Sequence, residues 1–292
     1  MPLDLLFEID DYPPAGEKRD ARRLTIQGGG PVPNAMVGLR RLGCSVAVIS
    51  GVADDVIGRL GAEELANEKI GTRYLVWKRN GRSDTAGGFV EGDSGRRTIV
   101  LSRGLRLTAR DVTISSLPTP KLIHLDGRDV DACIKLAKWG HRVGAEVCFD
   151  IGSVRNDVSS LLPLVDHLVI ADAFAFPFTG TRTARGAVLE LCKLCPGTVV
   201  VSEGIKGSTG FENGEWVRQR AYRVKAVDAT GAGDAFHVGY LYGLLHGYTL
   251  AHRLDFGSAV AALKCTRPGA RSGMPTMKQV REFLQRKPRQ YA

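Results

Sequence analysis

Arg223-Val224-Lys225-Ala226-Val227-Asp228-Ala229-Thr230-Gly231-Ala232-Gly233-Asp234-Ala235-Phe236 is the stretch on which the fold turns. It reads as a short apolar strand ending at Asp228, then three small residues that turn the chain. A helix begins near Asp234, with Ala235, Val238, Leu241, Tyr242 and Leu245 at helical spacing. That order puts the backbone N–H groups of Gly231, Ala232 and Gly233 at a helix N-terminus. Such groups lack intrahelical partners and stand at the positive end of the helix dipole, so the turn can cradle an anion. Asp234, beside a phosphoryl group held there, could accept the proton of an attacking hydroxyl while the loop steadies the charge. The dipole is expected to keep this carboxylate ionised near neutral pH. A lone aspartate at a helix start is more often a cap. Here Asp228 and Asp234 bracket one anion site, a costly placement of like charges unless a cation or chemistry uses them, and that favours the catalytic reading. Gly231 and Gly233 match the first two glycines of a dinucleotide fingerprint, but Phe236 occupies the third position, and no Gly-x4-Gly-Lys-Ser/Thr loop exists.

Outward from this loop, short apolar runs alternate with helix-like stretches. Strands are expected at Val46–Ser50, Leu122–Leu125, Glu146–Asp150, His167–Ile170 and Thr198–Ser202, and helices at 33–42, 55–69, 129–142, 184–194, 234–246, 250–265 and 277–286. Continuous apolar strands separated by helices argue for a parallel sheet covered on both faces, an α/β core. Between Thr72 and Ser102 the texture changes: Asn80-Gly81 and Asp93-Ser94-Gly95 mark tight turns between strands rich in Val, Ile, Thr and aromatic residues. This reads as an antiparallel meander, extended by Leu5–Ile9 and Arg23–Gln27, too small for its own core and suited to cover a site as a lid. A third hairpin, around Asn213-Gly214, is peripheral. The expectation is one domain over 1–292 with a lid formed by about 5–27 and 72–103.

With 43% hydrophobic residues over 292 positions, the chain can bury a sizeable core, yet its longest apolar runs fall well short of a membrane span. The start, Met1-Pro2-Leu3-Asp4, shows no secretory signal, so a cytoplasmic enzyme is expected. The formal charge of +9 does not choose a partner by itself; the basic residues are scattered, without a zinc-finger or ribonucleoprotein pattern, which argues against nucleic acid. Of six cysteines only Cys192 and Cys195 form a Cys-x-x-Cys pair, and it closes a helix rather than opening one, so a structural role is expected.

The segment Asp-Ala-Thr-Gly-Ala-Gly-Asp at 228–234 resembles the C-terminal signature of the ribokinase, or PfkB, family of carbohydrate kinases. Gly29-Gly30-Pro31-Val32-Pro33-Asn34 is similar to that family's sugar-binding Gly-Gly-x-x-x-Asn, and Gly51-Val52-Ala53-Asp54-Asp55-Val56-Ile57-Gly58 follows as expected. Ser202-Glu203-Gly204-Ile205-Lys206-Gly207 resembles the strand end that borders the nucleotide, while Phe256-Gly257-Ser258-Ala259 and Arg267-Pro268-Gly269-Ala270 resemble the adenine-side helix and the loop after it. His124-Leu125-Asp126-Gly127-Arg128-Asp129 is similar to a segment of the ketohexokinase group. The resemblance covers nearly the whole chain and implies a three-layer sandwich with a mostly parallel central sheet and a small antiparallel β lid. It implies ATP-dependent phosphorylation of a ketose or related sugar, with Mg²⁺ on the nucleotide and, in many members, a monovalent cation such as K⁺. By residue, it implies Asp234 as base, Gly231, Ala232 and Gly233 as anion hole, and Asp4, Gly29, Gly30, Asn34 and Arg128 around the sugar. Ser202, Gly204, Gly207 and Ser258 would border the nucleotide, and Asp228 a metal.

Three departures stand against the family pattern. Only Met1, Pro2 and Leu3 precede Asp4, where a full strand is usual; Ala171-Asp172-Ala173-Phe174 replaces an Asn-x-x-Glu motif; and Pro31 and Pro33 stiffen the sugar loop. A nucleoside or sugar-phosphate acceptor, or a catalytically silent member serving as a binding or scaffold protein, are the other readings. Exposed lid strands also invite a homodimer.

Overall fold

The computed structural model describes residues 1–91, 97–152, 157–286 and 290–291. The expected turn at Asp93-Ser94-Gly95 lies outside the described residues. In chain order, β1 (Leu3–Ile9), β2 (Arg23–Gly28), α1 (Pro31–Arg41), β3 (Gly51–Ala53), α2 (Val56–Asn67) and β4 (Val76–Lys78) precede the hairpin strands β5 (Thr85–Glu91) and β6 (Arg97–Ser102). The central alternation follows with β7 (Leu122–Leu125), α3 (Val130–Arg142), β8 (Glu146–Ile151), β9 (His167–Ala171), α4 (Asp172–Thr179), α5 (Ala184–Leu191) and β10 (Thr198–Ser202). Last come β11 (Ser208–Glu212), β12 (Glu215–Gln219), α6 (Ala232–Leu245), α7 (Leu250–Cys265) and α8 (Met277–Gln285).

The main sheet has six strands in the order β12-β11-β10-β9-β8-β7. β7 to β10 run parallel, and β11 and β12 add antiparallel at one edge. Its strands are apolar at nearly every position because alternate residues feed different layers. Phe149, Leu168 and Val199 pack with α3 and α5 on one face, whereas Cys148, Val169 and Val200 pack with α1, α6 and α7 on the other. The helices start where side chains can cap them: Asp55, Thr183 and Thr249 accept backbone N–H groups at the starts of α2, α5 and α7. Asn213 and Gly214, both at positive φ, make the turn between β11 and β12. No helix among the described residues is long and apolar enough to cross a membrane.

A second sheet has the order β2-β1-β5-β6. It is mixed rather than wholly antiparallel, because the β1 and β5 pair runs parallel, joined by the long excursion through α1, α2, β3 and β4. β4 does not join the expected meander; it pairs with β3 as a separate two-stranded ribbon. Two further corrections concern strands. Val46–Ser50 is not a strand: the ladder with the short β4 starts at Gly51. The run into Asp228 is irregular too, with the Val227 and Asp228 N–H groups both donating to the Cys265 carbonyl at the end of α7 rather than to a sheet neighbour. α4 is an element the sequence pattern did not reveal; Pro177 lies inside it and Gly180, in the left-handed region, ends it. β7 is the last strand of the main sheet, and beyond its outer edge lies a cavity of about 1220 Å³.

Candidate active site

Helix α6 begins two residues earlier than its apolar pattern suggested, at Ala232, because Gly231 caps it with φ 75°. Glycine is required there twice over. The backbone is left-handed, and a Cβ would stand 2.7 Å from the Cβ of Ala270. The Ala232 N–H donates back to the Ala229 carbonyl at 3.1 Å, and the Ala235 N–H begins the helical ladder on Gly231. Between them, the Gly233 and Asp234 N–H groups meet no acceptor among the described residues. The Gly231 N–H likewise meets no acceptor among the described residues, so of the expected set of Gly231, Ala232 and Gly233 only Ala232 is engaged, and Asp234 adds a further open donor.

The Asp234 side chain is held by Asn34, whose Nδ2 donates to Oδ2 at 2.7 Å. Asn34 is buried on α1, just after Gly30, whose φ of 92° turns the chain out of β2 and into the helix. Behind it stands Arg271, itself buried. Its guanidinium donates to Asn34 Oδ1 at 3.3 Å, to Glu64 Oε2 at 2.9 Å and to the Gly29 carbonyl at 3.4 Å. Glu64 also accepts the Gly28 N–H. Asp4, on β1, lies over this loop so closely that a Cβ on Gly29 would be 2.2 Å from its carboxylate. Asp4, Gly30, Asn34, Arg97, Gly231 and Asp234 all line the large cavity.

Burial dominates the electrostatics. It pushes the Asp234 carboxyl up to about 6, with Asp150 adding and the Asn34 hydrogen bond pulling back. The group is still mostly ionised at neutral pH. Burial likewise pushes Asp4 up to about 7, Arg271 pulling back while Asp234 and Glu64 add. At Asp228 burial is outweighed by Thr230, Lys264 and Gly269, and its carboxyl is held below the usual range. Oδ1 accepts the Thr230 N–H and Oδ2 the Gly269 N–H, each at 2.7 Å, so this side chain ties the loop to the segment that follows α7.

The remaining expected residues lie in two places. Arg128 lines the cavity and pairs with Asp84, donating also to the Leu105 carbonyl. Ser202, Gly204, Gly207 and Ser258 do not line it. The first three form the end of β10 and the turn into β11, where a Cβ on Gly207 would be 2.0 Å from the Gln219 carbonyl oxygen; Ser258 is buried on α7. Arg271 and Glu64 were not anticipated. Arg271 follows the quoted Arg267–Ala270 segment, but its partner Asn34 is 237 residues away, and only the fold joins them.

Together the open N–H groups, a half-buried carboxylate poised near neutrality and a second carboxylate across the same cavity can bind an anion beside a hydroxyl and take up a proton. A model of the pfkB family carbohydrate kinases matches residues 4–277. A ribokinase of Haemophilus influenzae is 27% identical, with 97% of this chain and 95% of that one covered. A 5-dehydro-2-deoxygluconokinase of Shouchella clausii is 25% identical over 91% and 89% of the two chains. An Escherichia coli protein described as ribokinase II, solved with ATP and Mg²⁺, superposes with a TM-score of 0.84 at 20% identity, covering 98% and 96%.

Proposed function

The chain belongs to the pfkB family of carbohydrate kinases, and from that premise we propose that it moves the γ-phosphoryl group of ATP onto a hydroxyl of a ketose or related sugar, with Asp234 as the general base. The observation that carries this reading is the Asp234 carboxylate itself, half-buried, fixed by Asn34 and set in the same turn as N–H groups without acceptors. Asp4, with Gly29, Gly30 and Asn34, holds the sugar hydroxyls, and the acceptor hydroxyl gives its proton to Asp234 as its oxygen attacks phosphorus. The bond from phosphorus to the bridging oxygen breaks, and the leaving ADP keeps that electron pair. Charge on the transferred group's oxygens is steadied by the loop Gly231–Gly233 and the Asp234 N–H. In a loose transition state the proton moves late, so a weak base suffices and positioning supplies most of the rate.

The nucleotide runs from this loop toward Ser202, Gly204, Gly207 and Ser258. When bound, Mg²⁺ neutralises phosphate charge. Asp228 is the protein-side neighbour we assign to it: both its oxygens already accept N–H groups, but each keeps a second lone pair. The four-stranded sheet, β1, β2, β5 and β6, is the lid, and Arg128 borders the sugar from its pair with Asp84. Arg97, which lines the cavity from β6 and acts electrostatically on both Asp4 and Asp234, favours an acceptor carrying a carboxylate or phosphate within the same sugar class.

ADP release measured with MgATP over ketoses, aldoses, sugar acids, sugar phosphates and nucleosides tests the reading. Turnover with one acceptor class, reduced about 10²–10⁴-fold in Asp234→Asn, is the expected result. Substantial turnover by that variant would remove Asp234 from the base position, and silence of a folded protein over the whole panel would favour a binding role.

A further inference from the structure

We propose that His124, Cys148 and His237 form a binding site for one zinc-class divalent cation, buried between the main sheet and α6. His124 on β7 and Cys148 on β8 are register partners, so their side chains stand abreast on one face of the sheet. His237, on α6, covers that face, and the imidazole rings of the two histidines lie 5.0 Å apart. One ligand atom from each of the three residues lies within 4.8 Å of the other two.

A plain core does not account for the polar atoms left over. Neither ring nitrogen of His124 has a hydrogen-bond partner, nor does Nδ1 of His237, and all three are shut off from solvent. A buried imidazole without partners forfeits the hydrogen bonds it made in water and gains none in exchange. The exception is Nε2 of His237, which pairs with Asp150 Oδ1 at 3.2 Å. A carboxylate on one ring nitrogen with the other left open is the arrangement that orients a metal-binding histidine. Cys148 is fully buried and free of any disulfide.

Two imidazoles and a thiolate select zinc and its relatives over Mg²⁺, which takes oxygen ligands, so this site and the nucleotide's Mg²⁺ do not compete. Bond lengths of about 2.0–2.3 Å around a tetrahedral ion put ligand atoms roughly 3.3–3.7 Å apart, so the three side chains must draw together by about 1 Å. Binding sends the Cys148 thiol proton to solvent, and a fourth position remains for water. The ion would join β7, β8 and α6, the helix that starts with the Gly231–Asp234 turn, into one cross-linked unit.

The full-length protein, stripped with a chelator and titrated with Co²⁺, tests this. One Co²⁺ per chain, a thiolate-to-cobalt charge-transfer band with tetrahedral ligand-field absorption, displacement of the band by Zn²⁺ and a Tm raised by Zn²⁺ but not by Mg²⁺ are expected. The band disappears in Cys148→Ser and persists in a variant in which Cys44, Cys192 and Cys265 are serine. The reverse pattern would place the ion on half-buried thiols and overturn the proposal, as would a folded wild-type protein with neither band nor Zn²⁺-dependent Tm. Should Cys148→Ser fail to fold, X-ray absorption on the Zn²⁺-loaded wild type decides: one sulfur and two imidazole nitrogens support the site, and any other set of protein ligands rejects it.

Discussion

Asp4 and Asp234 hold their protons more tightly in the folded protein than in the unfolded chain, and the consequence for stability has a definite direction. An unfolded aspartate titrates near 3.8, whereas burial lifts these two to about 7 and about 6. Well below pH 4 both are neutral in both states. As pH rises toward 7 the folded state keeps protons that the unfolded state has lost, so stability falls through that window and levels off above it. Asp4→Asn is therefore expected to raise Tm at pH 8 and to leave it nearly unchanged at pH 4, while kcat/KM for the sugar collapses; thermal melts at the two pH values check the first part. Turnover should fall on the acid side of about pH 6 as Asp234 protonates. Because the Asn34 hydrogen bond favours the ionised form, Asn34→Ala should move that acid limb to higher pH, measurable in the kcat profile. Asp234 and Asn34 could be picked out in the sequence because each sits in a short glycine-rich segment with local meaning, whereas Asp4, among apolar residues with no glycine near it, was picked out only through the family resemblance. Arg271 and Glu64 were not, since an arginine in a turn and a glutamate on a helix carry no local sign that they will meet behind Asn34.

The elements that carry the site depend on close backbone approach. Gly239 on α6 faces α7 so tightly that a Cβ would lie 2.6 Å from the Gly257 Cα, with no flexible side chain to yield. Gly239→Ala is expected to cost about 1–3 kcal/mol by forcing the two helices apart, read from urea unfolding. Gly231→Ala adds a left-handed backbone penalty of about 1–2 kcal/mol to its contact with Ala270 and should lower kcat more than it raises KM, because it disturbs the start of α6. The periodic helices and the apolar strands β7 to β10 could be read directly, since their residues alternate between two buried faces. Val46–Ser50 has the same apolar texture but no ladder to join, and a strand is defined by its neighbour as much as by its own residues. α4 escaped notice because Pro177 breaks the expected helical pattern.

For the whole molecule, the four-stranded sheet leaves Phe7, Leu24, Ile26, Ile99, Val100 and Leu101 exposed. We propose that a second copy of the chain covers this sheet, and Val100→Glu should then shift sedimentation from dimer to monomer. The α/β class could be read from the sequence, whereas the parallel β1–β5 pairing could not, because it joins strands separated by two helices and three further strands. The position of β7 at the margin of the main sheet has a consequence for the molecule's breathing. Backbone amides of β8, β9 and β10 are locked between neighbours on both sides and will exchange with deuterium only on deep unfolding, while those of β7 directed toward the cavity should exchange orders of magnitude sooner. The sheet that anchors Asp150 and underlies α6 will thus show a gradient of lability rising toward the cavity that Asp4 and Asp234 share.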